Sequence, residues 1–486
     1  MKQEWVKKDG FFFVLCLLLG MLAEESFFRG QVGISFIIFI IAFYTVFFWR
    51  YRAISLSHQR LGYLVLCCVW LLAASYMLND NALFRVLNIL IIPGLVIFHL
   101  VLVTSPNQIK WNQPAFVTFI LLRIFAAIKY IFQFAAAVGT GVKQGAKEDK
   151  LVIWKKVLIG IVISIPVLFV VLTLLMSADS QFERLVGSVP NWFKVINAEE
   201  VIRFLIVVIT TLCFFGFMQV LLQKPIKVFK NPEKSIAFQL DTIITITVLI
   251  LINAVYVLFT VVQFKYFFGG SLQADYTYAE YARKGFFELL FVTLINFSIT
   301  VAVLTLAFQA GKGMKRLIQV LLTVLILTSS IMLCSAFLRL SMYEEAYGFT
   351  FTRVLAHSFM IFLILIFAYT LVKIWMAKLS LLHFYFITSL LYYTAIAVMD
   401  LDKIVVEENI QRYETYGKID VHYLNRLSYT GVLGLTELYK TDPHIPELAS
   451  ILQERKNEAL TASYPWQSYN LKRGQVNKVL RELEVK

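Results

Sequence analysis

The sequence predicts an all-α, polytopic helical membrane protein with about eleven transmembrane helices and a small helical C-terminal subdomain. Three observations carry this. First, 59% of the 486 residues are hydrophobic and only 16% are charged, too few to clothe a soluble protein of this length. Second, apolar runs long enough to cross a hydrocarbon core of about 30 Å recur along the chain, and the mean hydropathy is +0.73. Third, the composition changes after Met399, where charged residues return and no apolar run follows. The weak ten-residue alternation of a membrane β-barrel does not dominate anywhere.

The spans are read at 11–28, 31–49, 61–78, 83–103, 151–177, 200–222, 236–262, 286–309, 316–338, 354–376 and 380–399. The N-terminal run lacks a small-residue cleavage site and is expected to be retained. The run 115–139 is long enough to cross but carries Arg123 and Lys129. Thr118, Lys129 and Gln133 fall on one side of its helical wheel, so it is amphipathic. Its crossing would invert every later loop, so it is assigned to the inner membrane surface. The chain then divides into a transmembrane domain, 1–399, and an extracytoplasmic tail, 400–486.

The net charge of +14 is a topology signal. With the N-terminus inside, the inner segments collect the basic excess, as in "KPIKVFKNPEK" and "GKGMKR". The outer loops and tail are slightly acidic. That is the positive-inside pattern, with anionic lipid as partner; nucleic acid is not implied. The cysteines Cys16, Cys67, Cys68, Cys213 and Cys334 all fall within spans and have no metal or disulfide spacing. No metal site and no cofactor are expected.

Helix starts are written into the outer loops: "SQFE" (Ser180, Glu183), "NAEE" (Asn197, Glu200) and "TYAE" (Thr277, Glu280) have capping-box spacing. In the tail, "VHYLNRLSYTGVLGLTELY", "PELASILQERKNEAL" and "WQSYNLKRGQVNKVLREL" show helical periodicity, with a break at "KTDPHIP".

"YTYAEYARKGFFELL", 276–290, resembles a signature of a bacterial family of polytopic membrane proteins of unknown function. "LLMSADSQFERL", "AVYVLFTVVQFKYFFGG", "RLSMYEEAYGFTFTRVLAHSFM", "IVVEENIQRY", "DVHYLNRL" and "WQSYNLKR" follow the same pattern in order. Ser180 stands where the pattern has proline, and Glu407-Glu408 depart from it. The resemblance implies a bacterial cytoplasmic membrane, the span-plus-tail layout and no particular activity. In the signature, Glu280 faces Arg283 and Lys284, and Lys284 faces Glu288, an i,i+3/i+4 charge ladder at a helix entry.

The opening "EESFFRG" matches the E-E-x-x-x-R motif of CAAX-type intramembrane proteases through Glu24, Glu25 and Arg29. That family also needs F-x-x-x-H and H-x-x-x-N/D. None of His58, His99, His357, His383, His422 or His444 has such a neighbour. The heptapeptide therefore reads as a hairpin tip closed by Gly30 and Gly33.

A transporter needs polarity near the midplane. Asn253 and Asn296 are the mid-span candidates, each roughly 14 Å deep at 1.5 Å per residue, and they are expected to bond to each other. Arg85, Arg203, Arg339 and Arg353 cluster near outer span ends, suited to an anionic headgroup or envelope precursor. The candidate polar or ligand-facing residues are thus Arg339, Arg353, Glu280, Arg283, Glu288, Asn253 and Asn296; no catalytic residue is assigned. The reading that follows is a sensor or assembly protein, envelope-associated, binding a protein partner through its tail. A transporter or lipid-binding protein is the alternative, and the protease reading comes last.

Overall fold

A computed structural model describes residues 7–52, 56–106, 108–141, 171, 175, 198–223, 240–268, 286–306, 311–376 and 378–484. Among these the regular structure is all helical, without strands. The helices are α1 (Lys7–Phe28), α2 (Ile34–Tyr51), α3 (Gln59–Leu78), α4 (Ala82–Thr104), α5 (Pro114–Gly141), α6 (Ala198–Leu222), α7 (Thr242–Phe268), α8 (Phe286–Leu306), α9 (Lys312–Tyr347), α10 (Phe351–Trp375) and α11 (Leu381–Val398). The tail adds α12 (Leu401–Tyr416), α13 (Val421–Arg426), α14 (Tyr429–Thr441), α15 (Leu448–Thr461) and α16 (Leu471–Glu482), with a 3-10 turn at Trp466–Ser468. Eleven described helices are long and apolar enough to cross a membrane.

These eleven match the expected number but not the expected membership. Apart from residues 171 and 175 the expected span 151–177 lies outside the described residues, as do the capping boxes at Ser180 and Thr277. The run 115–139, expected on the membrane surface, forms α5 and is itself long and apolar enough to cross.

The chain falls into two compact units. The first comprises 1–64, 95–228 and 465–468. Its axis is the pairing of α1 with α6. Gly20 lets the two backbones approach: a Cβ there would stand 2.8 Å from the Val207 carbonyl oxygen. Rings fill the seam, with Phe12 and Phe13 against Phe215 and Phe39 and Phe43 against Phe214. α5 packs antiparallel along α6. Arg123 Nη1 donates to the Val220 carbonyl at 2.7 Å, Ile131 sits against Gly216, and Phe134 meets Phe215 at 4.8 Å between centroids. The order 123–220, 131–216 and 134–215 runs in opposite directions along the two helices. Arg123 is 2% exposed, so its charge faces protein and ends on the carbonyl-rich C-terminus of α6. At the same end, Tyr51 Oη donates to the Met218 carbonyl at 2.5 Å.

The second unit comprises 65–94, 229–464 and 469–486. α9 is its spine. At 36 residues it is about 54 Å long, well beyond a roughly 30 Å bilayer core. The sequence predicts a span only at 316–338. The helix runs on through "LSMYEEAY" because nothing breaks it before Gly348. Leu322, Leu325, Ile326, Leu333 and Ala336 of α9 meet Leu249 of α7, Leu289 of α8 and Met360, Leu363 and Phe367 of α10. Gln319 donates to the Ile374 carbonyl at 2.7 Å and fixes the register of α9 on α10. The tail has a core of its own. Val406, Leu424, Val432, Leu435, Leu438, Leu448, Leu452, Val476 and Leu480 come from all five tail helices.

Candidate functional site

The polar chemistry of the second unit gathers where the tail meets the ends of the membrane helices. The turn 79–81 between α3 and α4 is the first contact. "LNDNAL" is a run of turn-forming Asn and Asp residues, and Asn81 Oδ1 accepts from Leu83 N at 3.1 Å to start α4. Asn79 Nδ2 donates to the Val398 carbonyl at 2.7 Å, tying the turn to the end of α11. Asn470, the N-cap of α16, accepts from Arg473 N and donates to the carbonyls of Tyr76 and Asn79, each at 3.1 Å. Orphan carbonyls at the end of α3 are thus satisfied by the tail.

Three carboxylates stand around this turn. Asp80 pairs with Arg85 at 2.8 Å. Asp400 caps α12 and receives Thr430 Oγ1 at 2.8 Å and Lys472 Nζ at 2.9 Å. Asp402 is 3% exposed. Burial pushes its carboxyl above the ordinary carboxylate range, against hydrogen bonds from Ser428 and Asn81, while Asp400 and Asp80 add to the rise. Burial raises Asp80 as well, opposed by Arg85 and Arg473. Arg473 is buried beneath Tyr464, 4.1 Å from its ring centroid, and lies 5.8 Å from that of Tyr429.

Beside these groups is a cleft of about 220 Å³. It is lined by the aliphatic Leu427, Val432, Val476 and Leu480, the aromatic Tyr429 and Tyr464, and the charged Arg455 and Glu458. Asp80, from the α3–α4 turn, lines it too. The cleft thus combines aromatic and aliphatic side chains with charged and polar ones from both the turn and the tail.

The α9–α10 turn is the second tail contact. Gly348 has φ +86, a left-handed value that suits glycine, and Asn409 of α12 brackets the next residue. Its Oδ1 accepts from Phe349 N at 3.1 Å and its Nδ2 donates to the Phe349 carbonyl at 2.8 Å. Arg412 donates to the carbonyls of Glu345 and Ala346, and Tyr423 Oη accepts from Phe351 N at 2.8 Å. Just below, Glu344 is 3% exposed and lies 2.8 Å from His357 Nε2, with Phe337 edge-on to the imidazole.

The sequence-derived candidates land as follows. Arg353 donates to the Gly348 carbonyl and stacks over Tyr343, 4.2 Å from the centroid, so it closes the α9–α10 turn. Arg339 is buried on α9 at 7% exposure. Arg85 serves Asp80. Arg203 belongs to the first unit, where it meets Glu199 at 2.5 Å and Glu24 at 3.6 Å. Each of Arg85, Arg203 and Arg353 thus has a local partner of its own. Glu288 is exposed in the first turn of α8, and Glu280 and Arg283 lie outside the described residues. Asn253 and Asn296 do not bond to each other. Asn253 Nδ2 donates to the Leu321 carbonyl at 3.0 Å and Asn296 Nδ2 to Ser329 Oγ at 2.9 Å, both on α9. The long α9 lies where the expected amide pair would have met.

In the first unit, Glu24 and Glu25 close the α1–α2 corner. Arg29 reaches Glu25 at 2.8 Å and Glu24 at 3.4 Å, and Gln467 Nε2 donates to Glu25 at 2.5 Å. No group of three or more His, Cys, Asp or Glu with metal-binding geometry occurs among the described residues. Sequence reasoning missed Asp80, Asp402, Glu344, Asn470 and Arg473. The Asn/Asp turn at 79–81 and the conspicuous "WQSYNLKR" were the signals available for three of them, Asp80, Asn470 and Arg473.

No curated protein and no solved structure matches the chain. Residues 66–438, which include the stretch 276–290, match the family described as a domain of unknown function, DUF4153. Over that span, from within α3 to within the tail helix α14, the chain belongs to the DUF4153 family, and it is an integral membrane protein by its apolar helices.

Proposed function

We propose that this is a sensor or assembly protein of the bacterial cytoplasmic membrane, envelope-associated, whose extracytoplasmic tail receives a ligand or partner. One observation carries the reading: Asp80, on a membrane hairpin, lines a cleft otherwise built from the tail. An occupant of that cleft touches both parts at once, so its binding energy is available to shift one against the other.

The orientation rests on α5. Packed lengthwise on α6, it crosses the bilayer beside it. Lys129, exposed about two thirds of the way along such a crossing, snorkels to the near rim. Since α5 and α6 are antiparallel, the chain leaves the one and enters the other at the same end. The loops "KPIKVFKNPEK" and "GKGMKR" therefore stay inside, as their charge requires, and eleven crossings put the tail opposite a cytoplasmic N-terminus.

The carrier alternative is less well supported. Asn253 and Asn296 are spent on α9, and Arg353 on its own turn. For a protease, Glu24 and Glu25 are held by Arg29, Arg203 and Gln467, an arrangement suited to a corner.

A photo-reactive residue at Tyr464, in the cleft wall, tests the reading in living cells against a control at the exposed Gln453. The proposal expects a discrete adduct from Tyr464 that Asp80→Asn weakens. Equal labelling from both positions, or none from the cleft, would sink it.

A further inference from the structure

Residues 465–468 pack with the first unit while the chain on either side belongs to the second. The contact is specific. Gln467 is 4% and Ser468 1% exposed, and Gln467 Nε2 donates to Glu25 in the last turn of α1. Ser468 N donates to the Pro465 carbonyl at 3.0 Å and closes the turn. Gly30 makes room: a Cβ there would stand 2.8 Å from Ser468 Oγ and 3.0 Å from Pro465 Cγ.

This fixes the height of the turn. The span of α1 ends at Phe28, and Glu25 lies one turn before that end. The 3-10 turn is therefore held at the level where α1 leaves the hydrocarbon. Its two polar residues point into protein, while Trp466 is 49% exposed. Phe28, the last residue of α1, is 55% exposed in the same unit. Trp466 is the one tryptophan of the tail. An exposed indole on a water-facing module is unfavourable, whereas at a bilayer rim its ring sits among acyl carbonyls and its N–H finds an acceptor.

We propose that the Trp466–Ser468 turn is a membrane-interface anchor, with Trp466 seated in the headgroup region of a phospholipid leaflet beside the α1–α2 corner. Gln467 and Ser468 are the clamp that sets its depth; Trp466 is the lipid contact. The anchor ties the tail to the bilayer independently of the cleft. It holds whichever leaflet the tail faces, so its failure and that of the functional reading are separable.

The full-length protein in phosphatidylcholine vesicles tests this. The emission of Trp466 is the difference between wild type and Trp466→Phe, with the other seven of the eight tryptophans common to both. The expected difference spectrum is blue-shifted. Bromine near the headgroup end of the acyl chain quenches it more than bromine near the terminal methyl, and aqueous iodide quenches it weakly. Emission untouched by bromolipid, whether open to iodide or shielded by a second copy, overturns the anchor. Should the variant fail to fold, wild-type protein is photolysed with a phospholipid bearing a diazirine beside its headgroup. The proposal expects an adduct on the peptide containing Trp466. Adducts on other rim residues without one there contradict it.

Discussion

Asn470 Nδ2 lies 3.1 Å from the carbonyl oxygen of Tyr76, joining the start of α16 to the end of α3. The side chain is 2% exposed and works in both directions: its oxygen caps α16, while its amide satisfies α3. Asn470→Ala is expected to cost about 2–3 kcal/mol, the sum of a lost cap and lost buried hydrogen bonds. Asn470→Asp keeps the cap acceptor and loses the donor. It should therefore destabilise the tail–α3 contact while α16 stays helical, read by amide hydrogen exchange in both segments. Full retention of protection at the end of α3 in either variant would contradict the latch.

Asp402 makes the tail pH-sensitive. Burial raises its folded-state pKa above the unfolded value, so the folded form holds its proton more tightly. Stability is then greatest at and below the ordinary carboxylate range, and falls as pH rises through the raised pKa. Asp80 acts in the same sense. Hydrogen exchange in the tail should slow on mild acidification beyond its intrinsic pH dependence, and Asp402→Asn should flatten that response. An unchanged response in Asp402→Asn would remove Asp402 as its source.

Asn253 and Asn296 bond to separate acceptors on α9. Their alanine variants should each cost about 0.6 kcal/mol or somewhat more. The double variant should be additive to within about 0.5 kcal/mol. Asn296→Ala with Ser329→Ala should instead show coupling. Thermal unfolding in detergent measures both cycles; coupling between the two asparagines would restore the direct pair the sequence suggested.

α5 separates two topologies. Because it lies antiparallel to α6, a periplasm-active reporter joined just after Gly141 should be active, and one joined at Lys110 inactive. A surface helix predicts that both are inactive.

The fold was legible where a single physical signal dominated. Long apolar runs marked ten of the eleven described helices that are long and apolar enough to cross a membrane. The α1–α2 hairpin was read from "EESFFRG" because Gly30 and the missing histidine motifs agreed, and Gly30 proves to be the point where Ser468 docks. Arg123 shows what the sequence hides: its charge argued for a surface helix, and the structure buries the side chain on a carbonyl that only the folded pair brings near. The site was less legible because its parts are remote in sequence. Asp402 is unremarkable in its own segment, and the chemistry of Asp80, Asp402 and Arg473 arises from burial beside one another. Glu344 and His357 are thirteen positions apart on two helices, so neither i,i+3 nor i,i+4 spacing announces them.

The account turns on which side of the membrane the tail occupies. The five native cysteines all lie in spans, so a single cysteine introduced at the exposed Gln453 of α15 reports the tail. Against a parent lacking that cysteine, a membrane-impermeant maleimide should label Gln453→Cys in intact spheroplasts, with no further gain on permeabilisation. Labelling that appears only after permeabilisation would put the tail in the cytoplasm, and with it would fall both the eleven-crossing topology and the outward-facing cleft.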